Sequence, residues 1–299
     1  MAAKTYDLIV IGEGVSGLAC AGHARRAGLS VATFEANLFG GLVLNVNELD
    51  GYPGVDSGTL LASELMQANA DAGVASFQEE VTAVSSAGGA FEIAAGGVYG
   101  VRQVVFAAGA RLRKLGVPGE DEYEGRGVSR CADCDAPMFQ GEEVVVAGGG
   151  DSALQEALVL AKFCRKVHIV HRGSRFRAQQ RFVDRVASDP RIAPSWNTTV
   201  EAILGGKMVE KVRVRRNGES EEIAAAGVFA YVGLEPNSVC APPAIGRDAS
   251  GCLITNDAFE TSMACVWAIG AVRAGYSGLL RDAVIEARRV AEAIHDRLD

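Results

Sequence analysis

Two stretches of the chain repeat one order of apolar and polar positions. In YDLIVIGEGVSGLACAGHARRAGLSVATFE an apolar run ends at Ile11, a glycine-rich turn follows, then an alanine-rich segment, then a second apolar run that closes on Glu35. The pattern predicts strand, tight turn, helix, strand. The segment EEVVVAGGGDSALQEALVLAKFCRKVHIVHRGSRFRA repeats it, with KVHIVH as the second strand. Two such units in one chain predict an α/β protein.

The glycines give each turn its chemistry. Gly12, Gly14 and Gly17 form G-x-G-x-x-G. In that fingerprint the first glycine permits the turn, the second admits a pyrophosphate to the backbone, and the third lets helix and strand pack closely. The helix N-terminus behind them offers N–H groups to an anion. Glu35 follows Gly12 by 23 residues, at the end of the second strand, where a carboxylate accepts hydrogen bonds from ribose hydroxyls. The second unit carries Gly148, Gly150 and Ala153 in a G-x-G-x-x-A pattern, and His171 stands at the same offset of 23 from Gly148. It ends differently, in HRGSRFR with Arg172, Arg175 and Arg177. A carboxylate repels a 2′-phosphate and guanidinium groups bind one, so the first turn suits the ADP half of FAD and the second suits NADPH. The competing readings are a glycine-rich turn of some other α/β protein and a solvated basic loop.

Composition narrows the rest. The 299 residues are 48% hydrophobic, enough for a large core and about two domains. A net charge of -8 argues against nucleic acid and against an anionic membrane surface as partners. The start, MAAKTYDLIVIGEGVSG, runs directly into a strand with no cleavage region, and no run of about 18 apolar residues follows. The expectation is a cytoplasmic chain that meets small molecules or another protein.

Seven cysteines, at 20, 131, 134, 164, 240, 252 and 265, are too few and too scattered for a secreted disulfide framework. Five read as ordinary thiols, and Cys131 and Cys134 stand apart as C-x-x-C in RCADCDAPMF. Zinc would need a second ligand pair, and His168 and His171, three apart on a strand, point to opposite faces. A staple across so short a loop stabilises little. Two unrelated buried thiols remain open. A pair that cycles between dithiol and disulfide fits more of the surroundings, because two nucleotide turns imply hydride transfer from a nicotinamide to a flavin, whose electrons must pass on. Asp135, directly behind the pair, is a candidate proton donor to a leaving thiolate; a solvated turn aspartate is the alternative.

With these residues in view the chain resembles the bacterial low-molecular-weight thioredoxin reductases over nearly its whole length. The shared motifs are GEGVSG, the pair Gly40-Gly41, ELDGYPG, FAAGA with Ala108 at its centre, LGVPGEDEYEGRGVSRCADCD, AGGGDSALQEAL, HRGSRFRA, YVGLEPN and VWAIGAV. The resemblance implies two doubly wound Rossmann-like dinucleotide-binding domains, the second inserted into the first. It places FAD on 1–113 and 240–299, NADPH on 114–239, and implies a homodimer. NADPH would reduce the flavin and the flavin the Cys131–Cys134 disulfide, with Cys134 facing the flavin and Cys131 attacking the disulfide of thioredoxin, a thioredoxin-like protein or a small molecule. The domains would rotate between these events about EGRGVS and YVGLEPN.

Departures from the family pattern sit around the flavin. Leu42 replaces a glutamine, Gly51 an asparagine, and Gly270-Ala271 stands where the family has Gly-Asp, removing a carboxylate from the flavin's ribityl chain. Asp282 occupies a glutamine position, and RAGYSGLLRDAV is longer than the family's segment. Gly173 replaces a second arginine, which leaves NADH possible beside NADPH. Two other readings accommodate these changes: a dithiol oxidase that passes electrons to oxygen, and a nucleotide-binding sensor without turnover.

Overall fold

The computed structural model describes residues 4–46, 49, 54–87 and 89–299. It divides into two units, Met1–Arg111 with Glu235–Asp299, and Leu112–Leu234.

The first unit grows from β1 (Thr5–Ile11), a strand buried on both faces. Leu8 and Val10 pack toward α1 (Val15–Arg26), while Ile9 and Ile11 enter a separate core on the opposite face. That two-sided burial explains the unbroken apolar run, since a strand between two cores has no polar face to show. β1 pairs in parallel with β2 (Val31–Phe34) and with the long β6 (Gly97–Phe106). The sheet continues past β2 to β3 (Ala75–Phe77), which follows α2 (Gly58–Ala72). The first half of β6 holds an antiparallel meander, β4 (Ala83–Ala87) and β5 (Ala90–Ala95). Its second half pairs in parallel with β17 (Val266–Ala268). The alanines of α1 let it lie close to α6 (Leu280–Leu298), whose Ala287, Val290, Ala291 and Ile294 face it. Trp267 is buried in this core, its Nε1–H donating to Gln103 Oε1 at 3.0 Å.

The chain leaves and re-enters this unit through β7 (Ala110–Leu112) and β16 (Leu234–Pro236), which pair with each other as a two-stranded ribbon. The second unit is a five-stranded parallel sheet in the order β11-β10-β9-β15-β8. Its strands are β8 (Val128–Ser129), β9 (Glu143–Gly148), β10 (Lys166–Val170), β11 (Ile192–Ser195) and β15 (Gly227–Tyr231). α3 (Ala132–Asp135), α4 (Asp151–Leu160) and α5 (Gln180–Ser188) accompany it. An antiparallel sheet of β12 (Thr198–Gly205), β13 (Val209–Arg216) and β14 (Glu219–Ala224) covers the other face. Among the described residues no helix is long and apolar enough to cross a membrane.

Candidate functional site

In the first unit four segments converge on the glycine turn after β1. Gly12 N–H donates to Phe34 O at 2.8 Å, and Gly40 N–H donates to Glu13 O at 2.7 Å, which sets Gly40-Gly41 beside Gly14. A Cβ on Gly17 would fall 1.9 Å from Gly12 O, so only glycine lets α1 start this close to the turn. By contrast a Cβ on Gly14 would meet nothing nearer than Gly40 O at 3.9 Å, leaving backbone open to a ligand. Glu35, half-buried, accepts Glu13 N–H at 3.0 Å through Oε2 and Asn37 N–H at 3.0 Å through Oε1. Its carboxylate therefore fastens the turn while sitting at the strand end. Ala108, beyond β6, is half-buried with its carbonyl held by Asn237 Nδ2 at 2.9 Å.

The fourth segment is Gly270–Val272, following β17. A Cβ on Gly270 would lie 2.3 Å from Ser16 Oγ in the first turn of α1, which places this short 3-10 turn directly against the glycine loop. Ala271 offers no polar group here, but a carboxylate arrives from α6. Glu286 Oε2 accepts Gly270 N–H at 2.9 Å, and Oε1 pairs with Arg273. Both side chains are nearly buried, at 7% and 13% exposure, and the Arg273 guanidinium lies over the Phe259 ring. Leu42 lies in the 3-10 turn Gly41–Asn45 and is 36% exposed; Asp282, in the first turn of α6, accepts Ser277 Oγ–H at 2.6 Å. Gly51 lies outside the described residues.

The second turn, Gly148 to Gly150, leads into α4 with Ala153 fully buried against the sheet. Nothing stands within 4 Å of a Cβ placed on Gly150, the same open face as at Gly14. The basic segment after β10 is tied back onto this turn. Arg177 N–H donates to Gly149 O at 2.8 Å, and Gln179 gives its N–H and Nε2–H to the Asp151 carboxylate at 2.7 and 2.6 Å. His171 is buried with its ring on Gly149 and its Nε2 at 3.0 Å from Arg175 O. Burial holds the imidazole below its usual range despite that carbonyl, and Arg177 and Arg172 add to the lowering. His171 thus acts as a neutral prop under the loop, together with Phe176 and Trp196. Arg172, Arg175 and Arg177 stay exposed, and among the described residues no carboxylate pairs with them.

The cysteine pair belongs to the same unit. Cys131 and Cys134 are joined by a disulfide across the start of α3, with Cα atoms 5.3 Å apart. Cys134 is exposed and Cys131 half-buried. Ser129 at the end of β8 organises the neighbourhood: its Oγ–H donates to Asp135 Oδ2 at 2.6 Å, and the same oxygen accepts Cys131 N–H at 3.1 Å. Asp135, half-buried, is thereby tied to the end of β8 rather than pointing into solvent. Tyr231 Oη, at the end of β15, accepts Ala132 N–H at 3.1 Å.

Ser129, Tyr231 and Glu286 escaped the reading of the sequence, because nothing local marks a hydroxyl or carboxylate whose partner is a distant backbone group. His168 Nε2–H donates to the Glu143 carboxylate at Oε2, 2.8 Å away, within the sheet.

The two turns also meet the requirements of a dinucleotide. Neither α1 nor α4 has a side-chain cap on its first N–H groups, so both leave backbone donors for a diphosphate. The first is flanked by a carboxylate, an acceptor for ribose hydroxyls, and the second by guanidinium groups, donors to a 2′-phosphate.

The family model of the pyridine nucleotide-disulphide oxidoreductases matches residues 6–293. The thioredoxin reductase of Treponema pallidum is 39% identical over 275 residues, covering 90% of this chain and 89% of that protein. That of Bacillus subtilis is 36% identical over 277 residues, covering 90% and 87%. The crystal structure of Lactococcus lactis thioredoxin reductase superposes with a TM-score of 0.92 at 32% identity, over 97% of this chain and 98% of the other. Motifs, fold and relatives agree: the chain belongs to the pyridine nucleotide-disulphide oxidoreductases, and within them to the bacterial low-molecular-weight thioredoxin reductases.

Proposed function

We propose that the chain is an NADPH-dependent, FAD-containing disulfide reductase whose Cys131–Cys134 pair serves thioredoxin or a thioredoxin-like protein. The observation that carries this reading is the Cys131–Cys134 disulfide with Ser129 and Asp135 set against it, in the unit that also holds the arginine-flanked glycine turn. In this reading FAD belongs to the first unit, on Gly12, Gly14, Gly17, Glu35, Gly40, Gly41, Ala108, Gly270 and Ala271. NADPH belongs to the second, its diphosphate on Gly148, Gly150 and Ala153 and its 2′-phosphate on Arg172 and Arg177, with His171 beneath them. The chain works as a cytoplasmic homodimer. When bound, nicotinamide and flavin supply the electron pair that opens the disulfide.

The remaining steps belong to the protein. Cys131 thiolate attacks one sulfur of the partner's disulfide, forming a mixed disulfide as the partner's own S–S bond breaks. The departing thiolate takes a proton from Asp135, held in place by Ser129. Cys134 then attacks Cys131 Sγ, closing the internal disulfide and freeing the second partner thiol. Asp135 hands on one proton, and the second partner thiol takes the proton that Cys134 gave up.

An anaerobic titration of the FAD-loaded protein with NADPH, then NADH, then oxidised thioredoxin tests the scheme. NADPH should bleach the flavin at lower concentration than NADH, and thioredoxin should restore it. Cys134→Ser should keep flavin bleaching and lose thioredoxin turnover. Survival of turnover in that variant would refute the assignment, and a flavin bleached only by dithiols with peroxide released in air would replace it by an oxidase.

A further inference from the structure

Two more acids adjoin the redox helix and take no part in the steps above. Asp133 lies between the two cysteines on α3, half-buried. Glu156 comes from α4, three residues after the fully buried Ala153, so helical spacing turns it toward the interior. Asp133, the N–H groups of Ala132 and Asp133 from α3, and the Tyr231 hydroxyl from β15 are the polar groups that act on its carboxyl. Glu156 Oε2 is buried and has no hydrogen-bond partner among the described residues. Tyr231 Oη already accepts Ala132 N–H, which leaves its one proton for the Glu156 carboxyl.

We infer that Asp133 and Glu156 form a proton-holding pair that sets how readily Cys131 and Cys134 give thiolate, so that Glu156 is a positioning residue for disulfide exchange. The inference rests on the reading of Cys131–Cys134 as the working redox pair. An ionised carboxylate with a buried, unpartnered oxygen is costly, and protonation turns the group into a neutral acid. A second carboxylate at close quarters pushes the same way, because like charges disfavour joint ionisation. Burial first, and the Asp133 charge second, push the Glu156 carboxyl up to about 7, against the pull of Tyr231 and the two backbone N–H groups. Burial and then the Glu156 charge push the Tyr231 phenol up in turn, so it stays a donor across the working range.

The consequence for sulfur follows from the sign of the charge. Below about pH 7 Glu156 is neutral. Above it Glu156 adds a negative charge against the redox helix that opposes thiolate formation, so the Glu156 and thiol titrations are coupled and thiolate rises with pH less steeply than for an isolated thiol. A change of about half to one unit in a thiol's pKa alters its thiolate fraction about threefold to tenfold, and that is the effect expected of this charge.

The test reads the thiols directly in the full-length, FAD-loaded protein. After anaerobic reduction with a phosphine and its removal, the rates of carbamidomethylation of Cys131 and Cys134 by iodoacetamide are followed by peptide mass spectrometry between about pH 5.5 and 9. Glu156→Gln, nearly the same shape, should raise the rates about threefold to tenfold at pH 8 and leave them unchanged near pH 5.5. Asp133→Asn should move the Glu156 step to lower pH, because the Asp133 charge is one of the causes that raise it. A Glu156→Gln curve that overlies the wild type, or lies above it by one factor at every pH as a loosened helix would give, overturns the inference. Thioredoxin plays no part in this readout, so a failure of the proposed function would appear as absent turnover with the pH split intact.

Discussion

Substituting Glu286 by alanine should remove two bonds at once from the wall of the first glycine turn. One is the hydrogen bond from Gly270 N–H, 2.9 Å from Oε2; the other is the ion pair with Arg273. A hydrogen bond to a charged group contributes about 1.5–3 kcal/mol. Breaking a buried ion pair from one side costs about 3–5 kcal/mol, chiefly because the partner is stranded, and Arg273 at 13% exposure has little water to turn to. The two effects share one carboxylate and do not add, so the expected loss is about 3–5 kcal/mol. Glu286→Gln keeps an acceptor for Gly270 N–H and should lose about 2–3 kcal/mol, the stranding share alone. The joint replacement Glu286→Leu with Arg273→Met removes both charges and should recover most of the loss. The two tryptophans make the assay specific, since Trp267 lies in the first unit's core and Trp196 in the second unit. Urea unfolding followed by fluorescence in a Trp196→Phe background reports the first unit alone. A loss below about 1 kcal/mol for Glu286→Ala, or a double variant no better than the single, would refute the reasoning.

Gly17→Ala should cost the first unit about 2–3 kcal/mol in the same assay, because its Cβ would lie 1.9 Å from Gly12 O, a backbone atom with no rotamer to yield. FAD uptake, followed by quenching of flavin fluorescence, should fall with it; wild-type uptake would mean that α1 can back away from the turn. Arg172→Ala and Arg177→Ala should each raise KM for NADPH about tenfold to a hundredfold through loss of a charge-assisted contact, and leave KM for NADH nearly unchanged. An equal rise for both cofactors in steady-state kinetics would move the 2′-phosphate away from these exposed guanidinium groups.

The elements that could be read along the chain are those whose signal is local. β1 shows as an apolar run because both its faces are buried, and α1 shows through glycines and alanines spaced to meet β1 and α6. The second turn repeats the first because the same packing problem recurs. Side chains that act at a distance left no such trace. Ala271 marks a missing carboxylate in the sequence, and only the fold shows Glu286 coming from α6 to hold the preceding N–H. Glu156 reads as one more polar residue on an amphipathic helix; its three-residue spacing from Ala153 was the available clue to its burial. Ser129 and Tyr231 stand at the ends of strands separated by about 100 residues, and their meeting around α3 follows from the order β9-β15-β8, which no local periodicity encodes. The antiparallel β12–β14 sheet was invisible for a related reason: Val209, Val212 and Val214 are buried between charged neighbours, an alternation easily taken for an irregular polar stretch.

The loop after β10 is held by main-chain bonds to Gly149 and Asp151 and by the rings of His171, Phe176 and Trp196, none of which involves the arginine side chains. Scaffold and specificity are therefore separable at this place. Positions 172, 175 and 177 are free to drift between basic and neutral residues without disturbing the turn beneath them, so a lineage can exchange one nicotinamide cofactor for the other in single steps that each leave a folded protein. Position 173 is the exception, since a Cβ there would lie 2.9 Å from His171 Nε2 and any side chain would have to move the ring that props the loop.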